Sequence, residues 1–293
     1  MDIESKKFLG QPKNFVSIFN ALLFDGQLVL KPEYLKDENS ELVMNVSSKH
    51  VDIIKRYEDG TYLDLFVIES QSYVDPSMAV RVMEYESVAR MRYIRQCFKK
   101  HVPMHTRLPM ILTVVLYVGE SKWNAAKRLS ELEIIHPGFE DMFNEFKLNL
   151  IELNTNHKYN TGEKATQDFF DLLRMIYRKQ VLKEDLDREF NRDALYFAYV
   201  VTKNKELLCI YNKSEKGDVK VCRALDEMFE ESTNRGIQMG IKQGIEQGIE
   251  RGVKNTQIKI AIKMLVRNNQ TLEEISEIVG LDLNALRELK KSI

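Results

Sequence analysis

The stretch that most constrains this chain is residues 51–93, which reads as strand, tight turn, strand and then an amphipathic helix. Both 51–57 and 62–68 are rich in β-branched, aromatic and other apolar residues, and Asp59-Gly60 between them is a preferred centre of a two-residue turn. Counting outward from that centre sets Thr61 against Glu58, Leu63 against Arg56 and Val67 against Asp52. Side chains alternate along a strand, so Val67, Glu69 and Gln71 share the face that carries Asp52. Asp52 and Glu69 then become diagonal neighbours, with Cα atoms roughly 7–8 Å apart. Two carboxylates at that spacing can meet on one divalent cation. The same spacing fits Glu69 and Gln71 simply reaching solvent where the strand leaves the core. The second strand is apolar on both faces through Leu63, Leu65, Phe66, Val67 and Ile68, which suits a central, covered position.

Asp75 followed by Pro76 is a favourable order for a helix N-terminus. Met78, Val82, Tyr85, Ala89 and Tyr93 then recur at helical spacing as one packing stripe. Arg81 borders that stripe, where it either stands beside the carboxylates or a phosphate, or is a solvated flank charge.

The string Glu69-Ser70-Gln71-Ser72, then Asp75-Pro76-Ser77-Met78-Ala79-Val80-Arg81 and Tyr85, resembles the core of the Rpn family of recombination-promoting nucleases. That family is also known as the YhgA-like transposases and belongs to the PD-(D/E)xK nuclease superfamily. Two further strings resemble it: Phe19-Asn20-Ala21-Leu22-Leu23, and Leu116-Tyr117-Val118-Gly119 followed by Trp123. The resemblance implies an α/β fold, a restriction-endonuclease-like mixed β-sheet flanked by helices, to which the residues after 226 add an all-α C-terminal tail. It implies cleavage of DNA with Mg²⁺ or Mn²⁺, with Asp52 and Glu69 as metal ligands and Asp52, Glu69 and Gln71 as the catalytic set. Arg81, Asn20 and Tyr85 are the corresponding candidates for contacts to substrate. Gln71 stands where the superfamily usually has lysine, no proline precedes Asp52, and the first helix offers no obvious acidic ligand. Those departures sustain an alternative: a nuclease-like protein that binds DNA or assembles without cutting it.

Composition narrows the remaining classes. The chain has 293 residues and a formal net charge of −1, so any nucleic-acid contact has to come from a local basic patch. Cys97, Cys209 and Cys222 are too scattered for a disulfide framework or a zinc site. The longest apolar run, 110–118, is about half of what spans a bilayer. These features predict a cytoplasmic protein with no membrane segment. Nothing reads as a Ser-His-Asp elbow, a P-loop or a dinucleotide fingerprint.

Along the chain, 11–24 reads as a first helix with Phe15, Ile18, Phe19, Leu22 and Leu23 on its apolar stripe, stopped by Asp25-Gly26. Asn20 on it either reaches the metal site or bonds structurally. Residues 31–39 read as a polar connector and 41–46 as a short strand. His101, His105 and Arg107 fall in a loop, and 109–118 is a buried strand ended by Gly119. Trp123 is a packing anchor, and Lys122, Lys127 and Arg128 near it are surface charges within reach of a DNA backbone. Residues 148–153 suggest another strand, and 165–178 and 185–202 suggest helices. From Gly236 to Val253 the chain repeats Gly-Ile in fours, a period above 3.6, so the stripe drifts along a helix. That segment predicts self-association into a homo-oligomer, with a frayed linker as the alternative. Gln257 to Val266 reads as a helix, Thr271 with Glu274 as a capping box, and 283–291 as a last helix carrying Arg287, Lys290 and Lys291. The expected organisation is a nuclease-like domain over 1–225, the repeat over 226–256 and a small helix-turn-helix-like unit over 257–293.

Overall fold

The structure, a computed structural model, describes residues 3–38, 53–60, 63–100, 107–181, 185–214 and 217–293. Asp52, the strand expected over 41–46, and His101 and His105 lie outside the described residues. Contacts divide the chain into two compact units, Met1–Asp226 and Glu227–Ile293.

The first unit is built on a five-stranded mixed sheet with the strands in sequence order: β1 (Leu35–Asp37), β2 (Ile53–Glu58), β3 (Leu63–Gln71), β4 (Met110–Tyr117) and β5 (Asn149–Glu152). Strands β1, β2 and β3 run antiparallel to one another, while β3–β4 and β4–β5 are parallel. A parallel step needs a crossover, and the helix over Met78–Lys99 supplies it between β3 and β4. β3 is therefore central, and Leu65, Phe66, Val67 and Ile68 are all buried, as a strand covered on both faces should be.

Two helices precede the sheet: α1 (Ile3–Leu9), for which no periodic signal stood out, and α2 (Pro12–Phe24). The crossover helix is α3 (Met78–Lys99). One face of β3 meets α2, where the Phe19 and Phe66 rings lie 4.8 Å apart. The opposite face meets α3, where Leu65 and Val67 cluster with Ile54, Ile111, Tyr85 and Ala89. Within α2, Phe15, Ile18 and Phe19 are buried as expected, but Leu23 is 42% exposed, because it has turned off the buried face by the last turn.

The hairpin register differs from the expected one by two residues. Arg56 pairs with Leu65 rather than Leu63, and the last pair, Glu58 with Leu63, leaves 59–62 as the connection. A slip of two preserves which side chain faces which layer, so Val67, Glu69 and Gln71 keep the common face that was expected of them. The segment 31–39 also departs from a plain connector, since Leu35–Asp37 adds β1 to the edge of β2.

After β5 come α4 (Lys164–Arg178), α5 (Arg192–Thr202) and α6 (Lys205–Lys213), with a two-stranded ribbon of β6 (Glu189–Phe190) and β7 (Val219–Lys220). The helix expected over 185–202 starts only at Arg192. Two sets of capping bonds explain this: the Asn191 side chain accepts the Asp193 and Ala194 N–H groups, and the Asn191 N–H donates to the buried Asp168 carboxylate.

Helix α7 (Cys222–Arg267) runs unbroken through the glycine repeat and past residue 256, so neither a linker nor a helix break at 257 separates the repeat from residues 257–267. In the second unit Ala261 and Leu265 of α7 pack with Ile275 and Val279 of α8 (Leu272–Val279) and Leu286 of α9 (Leu283–Lys291). The Thr271–Glu274 capping box forms in both directions. Gly280 ends α8 at φ +74°, a conformation that glycine adopts without strain. Among the described residues no helix is long and apolar enough to cross a membrane.

Candidate functional site

The site forms where the apolar run of β3 gives way to Glu69-Ser70-Gln71. The ladder does not stop there, since Glu69 pairs with Val115 and Gln71 with Tyr117, and the Val118 N–H donates to the Gln71 carbonyl at 2.8 Å. Glu69 is therefore only 4% exposed and Gln71 only 5%. They do not reach solvent at a strand end. They are polar groups inside a covered layer, on the face that meets α3. Gly119 lies just beyond the end of β4, and its lack of a side chain matters: a Cβ there would lie 2.6 Å from the Ser72 carbonyl oxygen.

Helix α3 brings the other members. Its hydrogen-bonded turns begin at Met78, two residues later than Asp75-Pro76 suggested. The Asp75 carboxylate nonetheless caps the approach, accepting the Ser77 N–H at 2.8 Å and the Ser77 hydroxyl at 2.7 Å. Its other oxygen accepts Arg81 Nη1. Arg81 and Tyr85 are one helical turn apart and point the same way. Arg81 Nη2 donates to Glu69 Oε1 at 3.1 Å, and Nε and Nη2 donate to the Tyr85 hydroxyl at 3.1 and 2.9 Å. A guanidinium has five N–H donors, so these contacts engage most of them with the protein's own groups. Arg81 therefore acts as a holder of Glu69, Asp75 and Tyr85 more than as an open hand for a phosphate.

The electrostatics follow from this arrangement. Burial works against the Arg81 charge, but the hydrogen bonds it donates to Asp75 and Tyr85 and the Glu69 charge outweigh it and raise its pKa. Burial also pushes the Asp75 carboxyl up, yet bonds from Ser77 and Arg81 win and hold it below the usual carboxylate range. The Tyr85 phenol is raised by burial first and by Glu69, against the pull of Arg81. It stays protonated at neutral pH, with its oxygen accepting from Arg81 and its own hydrogen available to donate. Two residues along β3 from Glu69, Gln71 Nε2 is buried with no hydrogen-bond partner among the described residues. An orphaned buried donor costs about 1–3 kcal/mol, and chains rarely keep one without a use.

The structure thus brings Glu69, Gln71, Arg81 and Tyr85 together and adds Asp75, which the sequence suggested only as a helix cap. The missed signal was the six-residue step from Asp75 to Arg81, which places an acid below a base across the first turn. Asn20 is elsewhere. Its amide donates to the Leu30 carbonyl and accepts the Leu30 N–H, both at 2.9 Å, so it pins a loop. It also sits on α2, across the sheet from Glu69. Near Trp123, Lys127 pairs with the Glu152 carboxylate. Trp123 itself is buried, edge-on to Tyr117 at 5.1 Å.

Among the described residues no three His, Cys, Asp or Glu side chains gather as a metal cage. Mg²⁺ needs fewer, since it usually keeps several waters and takes one or two carboxylates. Glu69 is a buried carboxylate at the end of β3, and Ile68 before it pairs with Ile53.

The family model described as "Putative transposase, YhgA-like" matches residues 30–207, more than half of the chain and all five strands of the sheet. No curated protein and no solved structure matches.

Proposed function

The chain belongs to the YhgA-like putative transposase family, and from that premise we propose that it is a metal-dependent DNA endonuclease. Asp52 and Glu69 would hold one Mg²⁺ or Mn²⁺ ion, and Gln71 would address the phosphodiester or the attacking water. The observation that carries this reading is the pair at the end of β3: a buried carboxylate held from one side, and a buried amide donor with no partner among the described residues. A transposase-type protein acts on DNA, and a phosphodiester offers the anionic oxygens that such an amide can bind.

Each residue has a separate task. Arg81 fixes the Glu69 carboxylate through Oε1 and is itself fixed by Asp75 and Tyr85. Glu69 and Asp75 with Arg81 leave one net negative charge, and Asp52 raises that to two, the complement of a divalent cation. Gln71 is a neutral amide and donates to or orients a group without transferring a proton. Tyr85 contributes a hydroxyl hydrogen on the same face. When bound, the cation would lower the pKa of a coordinated water and stabilise charge on the phosphoryl oxygens.

A second reading keeps the fold without the chemistry, as a DNA-binding or oligomeric scaffold. Gln71 in place of lysine favours it. Incubation of supercoiled plasmid with the purified full chain in Mg²⁺ and in EDTA separates the two. The endonuclease reading predicts nicked or linear DNA only with the metal, whereas intact plasmid that is shifted on a gel under both conditions supports the scaffold.

A further inference from the structure

The chain as a whole carries a formal net charge of −1, yet the second half of α3 is strongly basic. Residues 90–100 include Arg90, Arg92, Arg95, Lys99 and Lys100 and no acid. The carboxylates of the helix, Glu84 and Glu86, both precede that stretch, and Glu86 is buried and takes Arg90 at 2.8 Å. Arg95, Lys99 and Lys100 are exposed, and among the described residues no carboxylate pairs with them. The C-terminal end of a helix favours cations, but that effect falls off within the last turn and does not reach Arg95. Arg95 and Lys99 are four apart, a spacing at which like charges repel and weaken a helix in water. A polyanion laid along them turns that repulsion into attraction.

These cations stand on the side of α3 that carries Arg81. Arg95 is about four helical turns beyond Arg81 and Lys99 about five, so all three project from one flank. At a rise of about 1.5 Å per residue, Arg95 and Lys99 lie about 21 and 27 Å along the helix from Arg81, the residue that holds Glu69. We propose that this flank of α3 is a track for the backbone of duplex DNA, an inference that rests on the endonuclease reading of the site at Glu69 and Gln71. A duplex rises about 3.4 Å per base pair, so the track meets phosphates about six to eight base pairs from the one at the site. Double-stranded DNA is stiff over that length and delivers phosphates to both places at once, whereas a single strand coils and holds no fixed spacing. Contacts of this kind position a duplex without reading its sequence.

Fluorescence anisotropy of the full chain with labelled DNA in Ca²⁺ tests this. The wild type binds a duplex of about 24 base pairs more tightly than a single strand of the same length. Arg95→Glu with Lys99→Glu weakens the duplex complex about tenfold, lowers the slope of log Kd against log salt by about two, and removes the preference for the duplex. Arg95→Gln with Lys99→Gln gives an intermediate loss, and helix content by circular dichroism stays at the wild-type level because both side chains are exposed. Lys13→Glu with Arg178→Glu, the same reversal on exposed cations of α2 and α4, changes duplex affinity by less than about twofold. A wild type with no preference for the duplex, an α3 reversal that binds as tightly as wild type, or a control reversal as damaging as the α3 one overturns the proposal. An α3 reversal that binds and cuts plasmid as the wild type does removes the track and keeps the nuclease. A wild type that binds duplex through Arg95 and Lys99 yet never cuts keeps the track and removes the nuclease.

Discussion

Glu69→Gln leaves plasmid intact under conditions where the wild-type chain cuts it in Mg²⁺, a loss of at least about a hundredfold in rate, or about 2.7 kcal/mol of transition-state stabilisation. The substitution preserves shape and removes only the negative charge. Arg81 keeps Asp75 and Tyr85, and the amide oxygen of the new side chain can still accept from Nη2, so the α3–β3 contact survives. The loss therefore falls on the cation and not on the fold, and thermal unfolding of the variant within a few degrees of wild type checks this. A Glu69→Gln chain that cuts at the wild-type rate removes Glu69 from the chemistry.

The largest effect on stability belongs to a separate cluster on α4. Asp168 is 1% exposed and accepts Arg188 Nη2 at 2.6 Å, Lys164 Nζ at 2.8 Å and the Asn191 N–H at 2.7 Å. Arg188 also reaches Asp171 at 2.8 Å, itself 2% exposed. One carboxylate thus joins the start of α4 to the ribbon and to the cap of α5. Asp168→Ala leaves Arg188 undercompensated and the Asn191 N–H without its acceptor. Removing one member of a buried ionic network costs about 3–5 kcal/mol, a large share of the roughly 5–15 kcal/mol typical of a domain. Urea unfolding measures it, and a loss below about 1 kcal/mol would show that water or a neighbour replaces the carboxylate at little cost.

The elements with strong periodicity or strong punctuation were legible in the residues themselves. The doubly apolar run of β3, the α3 stripe from Met78 to Ala89, the Gly119 stop and the Thr271–Glu274 box all depend on local patterns that tertiary contacts reinforce. The hairpin register was not legible, because Asp59-Gly60 permits more than one loop length and pairing across the strands decides between them. The start of α5 was hidden for a different reason. The helical pattern of 185–202 continues upstream of Arg192, and only the distant Asp168 carboxylate and the Asn191 cap cut it there. At the site, the sequence pointed to Glu69 and Gln71 and left Arg81 open between a place beside them and a solvated flank. What it could not show was burial: that Gln71 lies in a covered layer with its amide donor unmatched among the described residues, and that Arg81 divides itself among Glu69, Asp75 and Tyr85. Asn20 was open between a metal site and a structural bond because one amide fits either, and in the structure both of its amide groups bond Leu30.

The central claim is that Glu69 holds a divalent cation, and calorimetric titration of Mn²⁺ into the purified full chain tests it without depending on turnover. Binding to the wild type that disappears in Glu69→Gln and in Asp52→Asn, while both variants remain folded, is the predicted result. A wild-type chain that takes up no Mn²⁺, or variants that bind it as tightly as wild type, would contradict the claim.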